Sequence, residues 1–507
     1  MRRIFFFNNI VTVICFASIF PQKTFLYQAR ANPITCKKDN VFAPLAEIPL
    51  KQSDVCFSSR WRRPQNANDP YDTIQMAKVF FATRIDWIYT YDKSFIQQLK
   101  TNDWPISAAL NANLPDLDRE TYQEGRMVTR TGEPICPPWM TWEPKPYGGC
   151  ANAPEYFQNL LERAKRLIEA GADSIQFDDP SMNQGALGWG GGGCFCVHCV
   201  EGFKDYLKSN VSKSKLHSFG IEDVNGFSYR DFLNQGGNNP ELESFWKSFQ
   251  KESVRRFWVR LRNQLFEKYG RHILTSSNNF DISWETPYDL FDFGMCELPK
   301  RSFAPEIIYD RLQAAFSEGR KQIITIHSDD VKMNQICVAT IYACGANPIV
   351  PWDVWIEGHR RFFGKPEDFA PLFAFVRANA DCFDDFKAVA AGGKGKPNPD
   401  IVCSDPETIM VVRKKPRHAK TVVHLVRWGT DRMPVQLTIA KSIVSYQIRQ
   451  ARLLKPTAFS EDKLQETQQT HDFSKWSQTV TLTAKKENAT ICIKPIEFDV
   501  WAIVILD

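Results

Sequence analysis

The sequence predicts an α/β protein, a (β/α)8 TIM-type barrel followed by a C-terminal all-β sandwich, and three observations carry that expectation. From residue 76 onward, short apolar runs alternate with longer amphipathic ones, the pattern of parallel strands joined by helical crossovers. The run Gly-Gly-Lys-Gly-Lys-Pro-Asn-Pro at 392–399 has the composition of a linker. Beyond it only short strand-like segments remain. With 507 residues the chain exceeds a single compact core, so more than one domain is expected.

The N-terminus reads as an export signal over residues 1–31. Arg2 and Arg3 precede an apolar stretch at 4–20, and Ala29-Arg30-Ala31 offers a small-x-small cleavage site. Asn8 and Asn9 interrupt the stretch, which argues against a stable membrane span. A secreted or periplasmic protein is therefore expected. Those residues hold four of the 63 basic groups and none of the 58 acidic ones, so the remainder carries 59 against 58, a net charge of +1. So little excess charge argues against a nucleic-acid partner, whose binding needs a concentrated basic face.

Residues 32–75, rich in Pro and Asn, read as irregular; Cys36 and Cys56 within them are placed to bridge in an oxidising compartment. The barrel is assigned to 76–391, with strands at 79–87, 106–111, 173–178, 273–278, 291–297, 322–327 and 348–353 and an eighth hidden in 126–145. Helices are expected at 155–170, 199–208, 243–269 and 307–318. An open doubly wound sheet is the alternative, but no Gly-rich nucleotide turn follows the first strand. The sandwich is assigned to 400–507, with strands at 408–413, 421–426, 435–439, 480–482, 490–493 and 500–506.

Cys194-Phe195-Cys196-Val197-His198-Cys199 places three thiols at metal-ligand spacing, and Cys150, just before a helix, is the candidate fourth ligand of a closed structural zinc site. Disulfides are the alternative, although thiols so close in sequence pair poorly with one another. The string continuing through Phe203, Tyr206 and Leu207 resembles the Cys-x-Cys-x-x-Cys segment of the family 42 β-galactosidases, where an isolated upstream Cys completes a structural zinc site. The stretch from Ala343 to Pro348 ahead of Trp352 also resembles the approach to that family's last barrel strand. The resemblance implies a glycoside hydrolase scaffold over about residues 76–385. The chain departs from the family where its catalytic residues stand: Phe177-Asp178-Asp179-Pro180 replaces the Asn-Glu pair of strand four, and His327-Ser328-Asp329-Asp330 replaces the Glu of strand seven.

Barrel enzymes carry their chemistry at the carboxyl ends of the strands. Alternation along Ser174-Ile175-Gln176-Phe177-Asp178 turns Ser174, Gln176 and Asp178 into the barrel, so Asp178 is the last inward residue, and Asp179 opens the loop. Two adjacent acids repel unless they have a chemical role or a cation nearby. Glycosidic cleavage needs a second carboxyl across the bond. Glu297 is the candidate, with Asp329 as its rival. An acid on strand four facing another on strand six resembles retaining α-galactosidase-type barrels, a likeness that implies Asp178 as nucleophile and Glu297 as acid/base. Arg84, Asp86, Asn111, Asn278, His327 and Asp353 are expected to line the same rim and bind sugar hydroxyls, with Trp352 as a stacking face; Trp87, Trp142 and Trp355 are further candidates. Gly190–Gly193 is either a mobile cover over the substrate or a spacer leading to the cysteines. The expected activity is thus hydrolysis of an oligo- or polysaccharide. A carbohydrate-binding barrel without catalysis, and a metal-dependent hydrolase using Asp178, Asp179, His327 and Asp329, are the alternatives.

Overall fold

The computed structural model describes residues 48–507 apart from 65, 67, 70, 114–124, 142–144, 357–359, 431 and 488. The expected export segment 1–31, Cys36 and Trp142 lie outside the described residues.

Eight parallel strands run in chain order around a barrel: Cys56–Phe57, Arg84–Tyr89, Ile106–Asn111, Ser174–Asp178, Leu274–Ser277, Phe293–Leu298, Lys321–Ile326 and Asn347–Pro348. A bridge between Cys56 and Ile349 joins the last strand back to the first. The first strand therefore comes from the segment 32–75 that reads as irregular, and part of the expected strand 79–87 belongs to the helix Thr73–Val79. Two residues are too few to show a period of two. The described part of 126–145 forms only isolated bridges, Arg126 with Gly149 and Val128 with Pro134. The strand gained upstream offsets the one lost there, so strands four to eight keep their expected places.

Inside the barrel Cys56, Trp87, Ala109, Phe293, Met295, Ile323 and Ile349 pack on Leu50. The segment before strand one closes the amino-terminal mouth. Lys321, opening strand seven, donates to the carbonyls of Ile48 at 2.8 Å and Leu50 at 2.7 Å. Arg84, opening strand two, donates to the Pro49 carbonyl at 3.1 Å and to both oxygens of the buried Asp86 carboxylate at 2.8 and 2.9 Å. The candidate acids therefore belong to the opposite, carboxyl end of the strands.

Strand two carries a bulge: Ile85 pairs with Ile106 but Ile88 with Ala108, three residues advancing against two. Trp87 takes the left-handed conformation at φ 54° to allow this. The phase of the strand flips there, so Ile88 joins the outer core while Trp87 packs inside.

The longest helix, Pro240–Tyr269, starts on Asn239, whose side chain accepts from the amides of Glu241 and Leu242, and ends at Gly270 with φ 63°. Its Trp258 packs on Phe177 with ring centroids 4.8 Å apart and donates to the Pro180 carbonyl at 2.9 Å, pinning both sides of Asp178–Asp179. Between strands five and six only the short 3-10 turns Phe280–Ile282 and Tyr288–Leu290 stand where the later crossovers use α-helices.

The C-terminal domain faces a six-stranded antiparallel sheet against a four-stranded one, with Met410, Val412, Leu425, Leu437, Ile493 and Val504 in the core. Its first strand, Lys387–Gly393, pairs with Thr408–Lys414, and Gly393 turns the chain at φ 89°. The stretch 392–399 is thus a turn inside this domain and not a linker ahead of it. Barrel and β domain lie in one compact unit. Buried Arg413 docks them, donating to the carbonyls of Tyr342, Phe383 and Phe386 at 3.2, 2.9 and 2.7 Å and to Gln52 at 2.6 Å. No helix of the described residues is long and apolar enough to cross a membrane.

Candidate active site

Strand four alternates as its sequence predicts. Ile175 and Phe177 join the outer core, while Gln176 lies buried without a side-chain hydrogen bond. Asp178 ends the strand, opposite Asn111 of strand three. Asp179 follows at φ 52°, a left-handed conformation that Asp tolerates better than most residues. Asn111 Nδ2 lies 3.1 Å from Asp179 Oδ2 and 3.5 Å from Asp178 Oδ2. The Tyr89 hydroxyl donates a short hydrogen bond to Asp178 Oδ2 and accepts from Trp87 Nε1 at 3.2 Å. Burial and then the Asp178 charge push the Tyr89 hydroxyl well up, so it stays a donor.

Glu297 stands two strands away. Asn278 Nδ2, just past strand five, donates to Asp178 Oδ1 at 3.1 Å and lies 3.5 Å from Glu297 Oε2. One nitrogen thus spans both carboxylates, and the two oxygens it holds are separated by no more than about 7 Å, short of most of the range of inverting glycosidases. On the other side Arg60 NH2 donates to Glu297 Oε1 at 3.2 Å, and His327 Nε2 lies 3.2 Å from the same oxygen. Arg60 is itself held flat on the Trp87 ring, 3.4 Å from its centroid.

These neighbours split the carboxyls. Burial alone would raise Glu297, but His327 and then Arg60 overcome it and hold the group at about 2. Burial and the Glu297 charge raise Asp178, although Tyr89, Arg60 and Asn278 oppose them. Burial and the Asp178 charge raise Asp179 further. Tyr288, on the turn after strand five, is pushed up to about 12 by burial and by these two aspartates. Glu297 is therefore the most readily ionised of the three acids.

Asp178, Asp179, Glu297, Asn111, Asn278 and His327 meet as the sequence predicts. Other expected site residues do not join them. Arg84 and Asp86 pair with each other toward the closed end, because strand two begins at Arg84 and does not end near it. Trp352 is fully buried, stacked on Phe57 at 5.2 Å. Asp353 is buried between Arg63 Nε at 3.1 Å and Arg361 Nε at 2.7 Å, where it ties down the hairpin Asp353–Ile356 and Arg360–Phe363. Asp329 pairs with Arg360 at 2.9 Å. The site adds residues that the sequence reading passes over: Tyr89, hidden by the bulge, and Arg60, hidden in the segment read as irregular.

The cysteines gather as a second centre. The sulfurs of Cys150, Cys194, Cys196 and Cys199 lie within 4.8 Å of one another, with Cys150 3.3 Å from Cys199 and 3.6 Å from Cys196. Cys150, Cys194, Cys196 and Cys199 form no disulfide among the described residues, and the expected partner of Cys56, Cys36, lies outside them. Tetrahedral thiolates around zinc stand about 3.8 Å apart for metal bonds of about 2.3 Å. Asn183 Nδ2 lies 3.5 Å from Cys150 Sγ and 3.3 Å from Cys199 Sγ, and the Asn152 amide donates to Cys150 at 3.4 Å. Amide donors around buried sulfur suit a thiolate cluster, and the set could hold a metal ion. Gly191, Gly192 and Gly193 carry the chain into Cys194 at φ 75°, 99° and 109°, and the Gly192 carbonyl accepts from Trp246 at 2.7 Å.

No family model matches the chain. Two curated proteins are similar in sequence: the α-agarase of Thalassotalea agarivorans, 22% identical over 279 residues, and the α-agarase of Alteromonas agarilytica, 22% identical over 437 residues. The matches cover 48% and 72% of this chain but only 19% and 29% of those proteins, so the chain spans less than a third of their length. Among solved structures, α-L-fucosidase isoenzyme 2 of Paenibacillus thiaminolyticus aligns over 90% of this chain and 100% of its own with a TM-score of 0.56 and 8% identity. A cycloisomaltooligosaccharide glucanotransferase of Paenibacillus sp. aligns over 90% and 85% with a TM-score of 0.54 and 9% identity. The fold is that of a glycoside hydrolase-like (β/α)8 barrel with a C-terminal antiparallel β domain.

Proposed function

We propose that this chain hydrolyses glycosidic bonds in a polysaccharide, with Asp178 and Glu297 as the catalytic carboxyls. The observation that carries the reading is the single amide of Asn278 within reach of carboxylates from strands four and six at the carboxyl end of the barrel. The α-agarase relatives support agar-type galactan as the substrate class. A separation below about 7 Å favours the retaining arrangement, in which one carboxylate attacks the anomeric carbon and the other first protonates the leaving oxygen and then activates water. In the layout expected from sequence, Asp178 is the nucleophile, oriented by Tyr89 and Asn278, and Glu297 is the acid/base. The clamp of His327 and Arg60 on Glu297 favours a second reading with the two roles exchanged.

The metal-dependent alternative would need Asp178, Asp179, His327 and Asp329 around one ion, whereas Asp329 pairs with Arg360 at 2.9 Å and His327 Nε2 lies 3.2 Å from Glu297. For the cysteine cluster we propose structural zinc, in keeping with the likeness of its Cys-x-Cys-x-x-Cys segment to that of the family 42 β-galactosidases. Four thiolates leave no position for water or substrate, so the ion would fasten the loop ahead of helix Pro154–Ala170 to the start of helix Val197–Asn210. Export to the periplasm or the medium belongs to the same reading, because an intact polysaccharide lies outside the cell.

The test is a panel of polysaccharides and aryl glycosides, agarose among them, assayed with wild type, Asp178→Asn and Glu297→Gln. The expected result is cleavage by wild type and a loss of several orders of magnitude in both folded variants. Wild-type turnover in either variant would remove that residue from the pair. Azide restoring an Asp178→Gly variant with an inverted glycosyl azide would mark Asp178 as the nucleophile; the same product from Glu297→Gly would mark the exchanged roles.

A further inference from the structure

Two tryptophans at the carboxyl end of the barrel are exposed although large apolar rings are normally buried: Trp61 is 37% and Trp139 48% exposed. Neither stands alone. Trp61 stacks on Tyr89 with centroids 5.4 Å apart and planes inclined by 26°, and Tyr89 donates to Asp178. Its edge meets Trp355 at 6.0 Å, and Arg361 lies over both rings at 5.6 and 4.6 Å. Trp139 packs edge-on against Trp189 at 5.2 Å, and its indole is among the groups that oppose the rise of the Asp179 carboxyl. Each ring is thus braced by another aromatic ring, partly exposed, and close to a carboxyl, Trp61 through Tyr89 to Asp178 and Trp139 beside Asp179.

They come from different parts of the chain. Trp61 and Trp355 follow strands one and eight, whereas Trp139 and Trp189 follow strands three and four. A braced aromatic ring that is partly exposed suits the apolar face of a sugar ring. We infer that Trp61 and Trp139 are stacking subsites for sugar units on either side of the cleaved bond, so that the site takes an internal stretch of polysaccharide and acts in endo fashion. This inference rests on the glycosidase reading and adds to it where the chain lies and where it is cut.

The decisive experiment separates binding from cleavage. Inert Asp178→Asn protein is run through native gels containing soluble agarose, with and without Trp61→Ala or Trp139→Ala added. Retardation by agarose that weakens about tenfold in apparent affinity with each tryptophan removed is expected, for two stacking contacts. In the active protein the same replacements should raise KM for the polymer about tenfold. Wild type should lower the viscosity of the polymer long before reducing ends accumulate. Equal retardation with and without the tryptophans, or release of only small sugars at constant viscosity, would overturn the inference while leaving the glycosidase reading in place. A wild type that is retarded in a tryptophan-dependent way yet cuts nothing would do the reverse, keeping the subsites and removing the catalytic assignment.

Discussion

Replacing Tyr89 with Phe removes one oxygen and leaves the ring on which Trp61 stacks. Tyr89 donates to Asp178 Oδ2 and accepts from buried Trp87 Nε1 at 3.2 Å. A hydrogen bond to a charged acceptor contributes about 1.5–3 kcal/mol, which at about 1.4 kcal/mol per tenfold corresponds to a loss of roughly 10- to 100-fold in kcat/KM. The same energy is about one to two pKa units. Tyr89 opposes the rise of Asp178, so its loss moves the Asp178 carboxyl upward. If Asp178 works as the anion, activity is lost below its pKa, and the acidic limb of the kcat/KM profile moves toward neutral pH. If it works as the acid, activity is lost above its pKa, and the alkaline limb moves to higher pH instead. The assay is a pH series of kcat/KM on the substrate that the panel identifies, with circular dichroism to show that the variant folds. A folded Tyr89→Phe protein with unchanged kcat/KM and both limbs in place would refute the reasoning.

Metal analysis of purified protein is expected to find one zinc per chain, and Cys196→Ser to lower both metal content and thermal stability; a wild type with no bound metal would reject the zinc assignment. Arg84→Met leaves the buried Asp86 carboxylate without its cation and is expected to destabilise the protein by about 3–5 kcal/mol. Urea denaturation reads that change, and an unchanged midpoint would show that the pair does not hold the closed end.

The carboxyl on strand four was legible because five residues alternate without interruption and end in Asp. The same logic fails on strand two. Read with an end at Trp87, that strand puts Arg84 and Asp86 at the rim; it begins at Arg84, and the bulge reverses the phase before Tyr89. Arg60 was hidden for another reason. Strand one has two residues and is held by partners distant in sequence, Arg84 and Ile349, so local pattern carries no trace of it. The cysteine spacing was the most readable feature, since three of four candidate ligands fall within one turn of chain. The boundary of the β domain was misplaced because the glycines of 392–399 serve a tight turn between strands as readily as a linker.

The closure of the ring by Cys56 also governs how the protein can be divided. A gene fragment begun at codon 76, where the alternating pattern starts, would omit strand one and leave Arg84–Tyr89 and Asn347–Pro348 as unpaired edges of a split cylinder. Such edges invite pairing between molecules, so aggregation is the natural fate of that fragment. It would also lack Arg60 and Trp61. The stretch that looks least structured is the one that a working recombinant fragment has to keep.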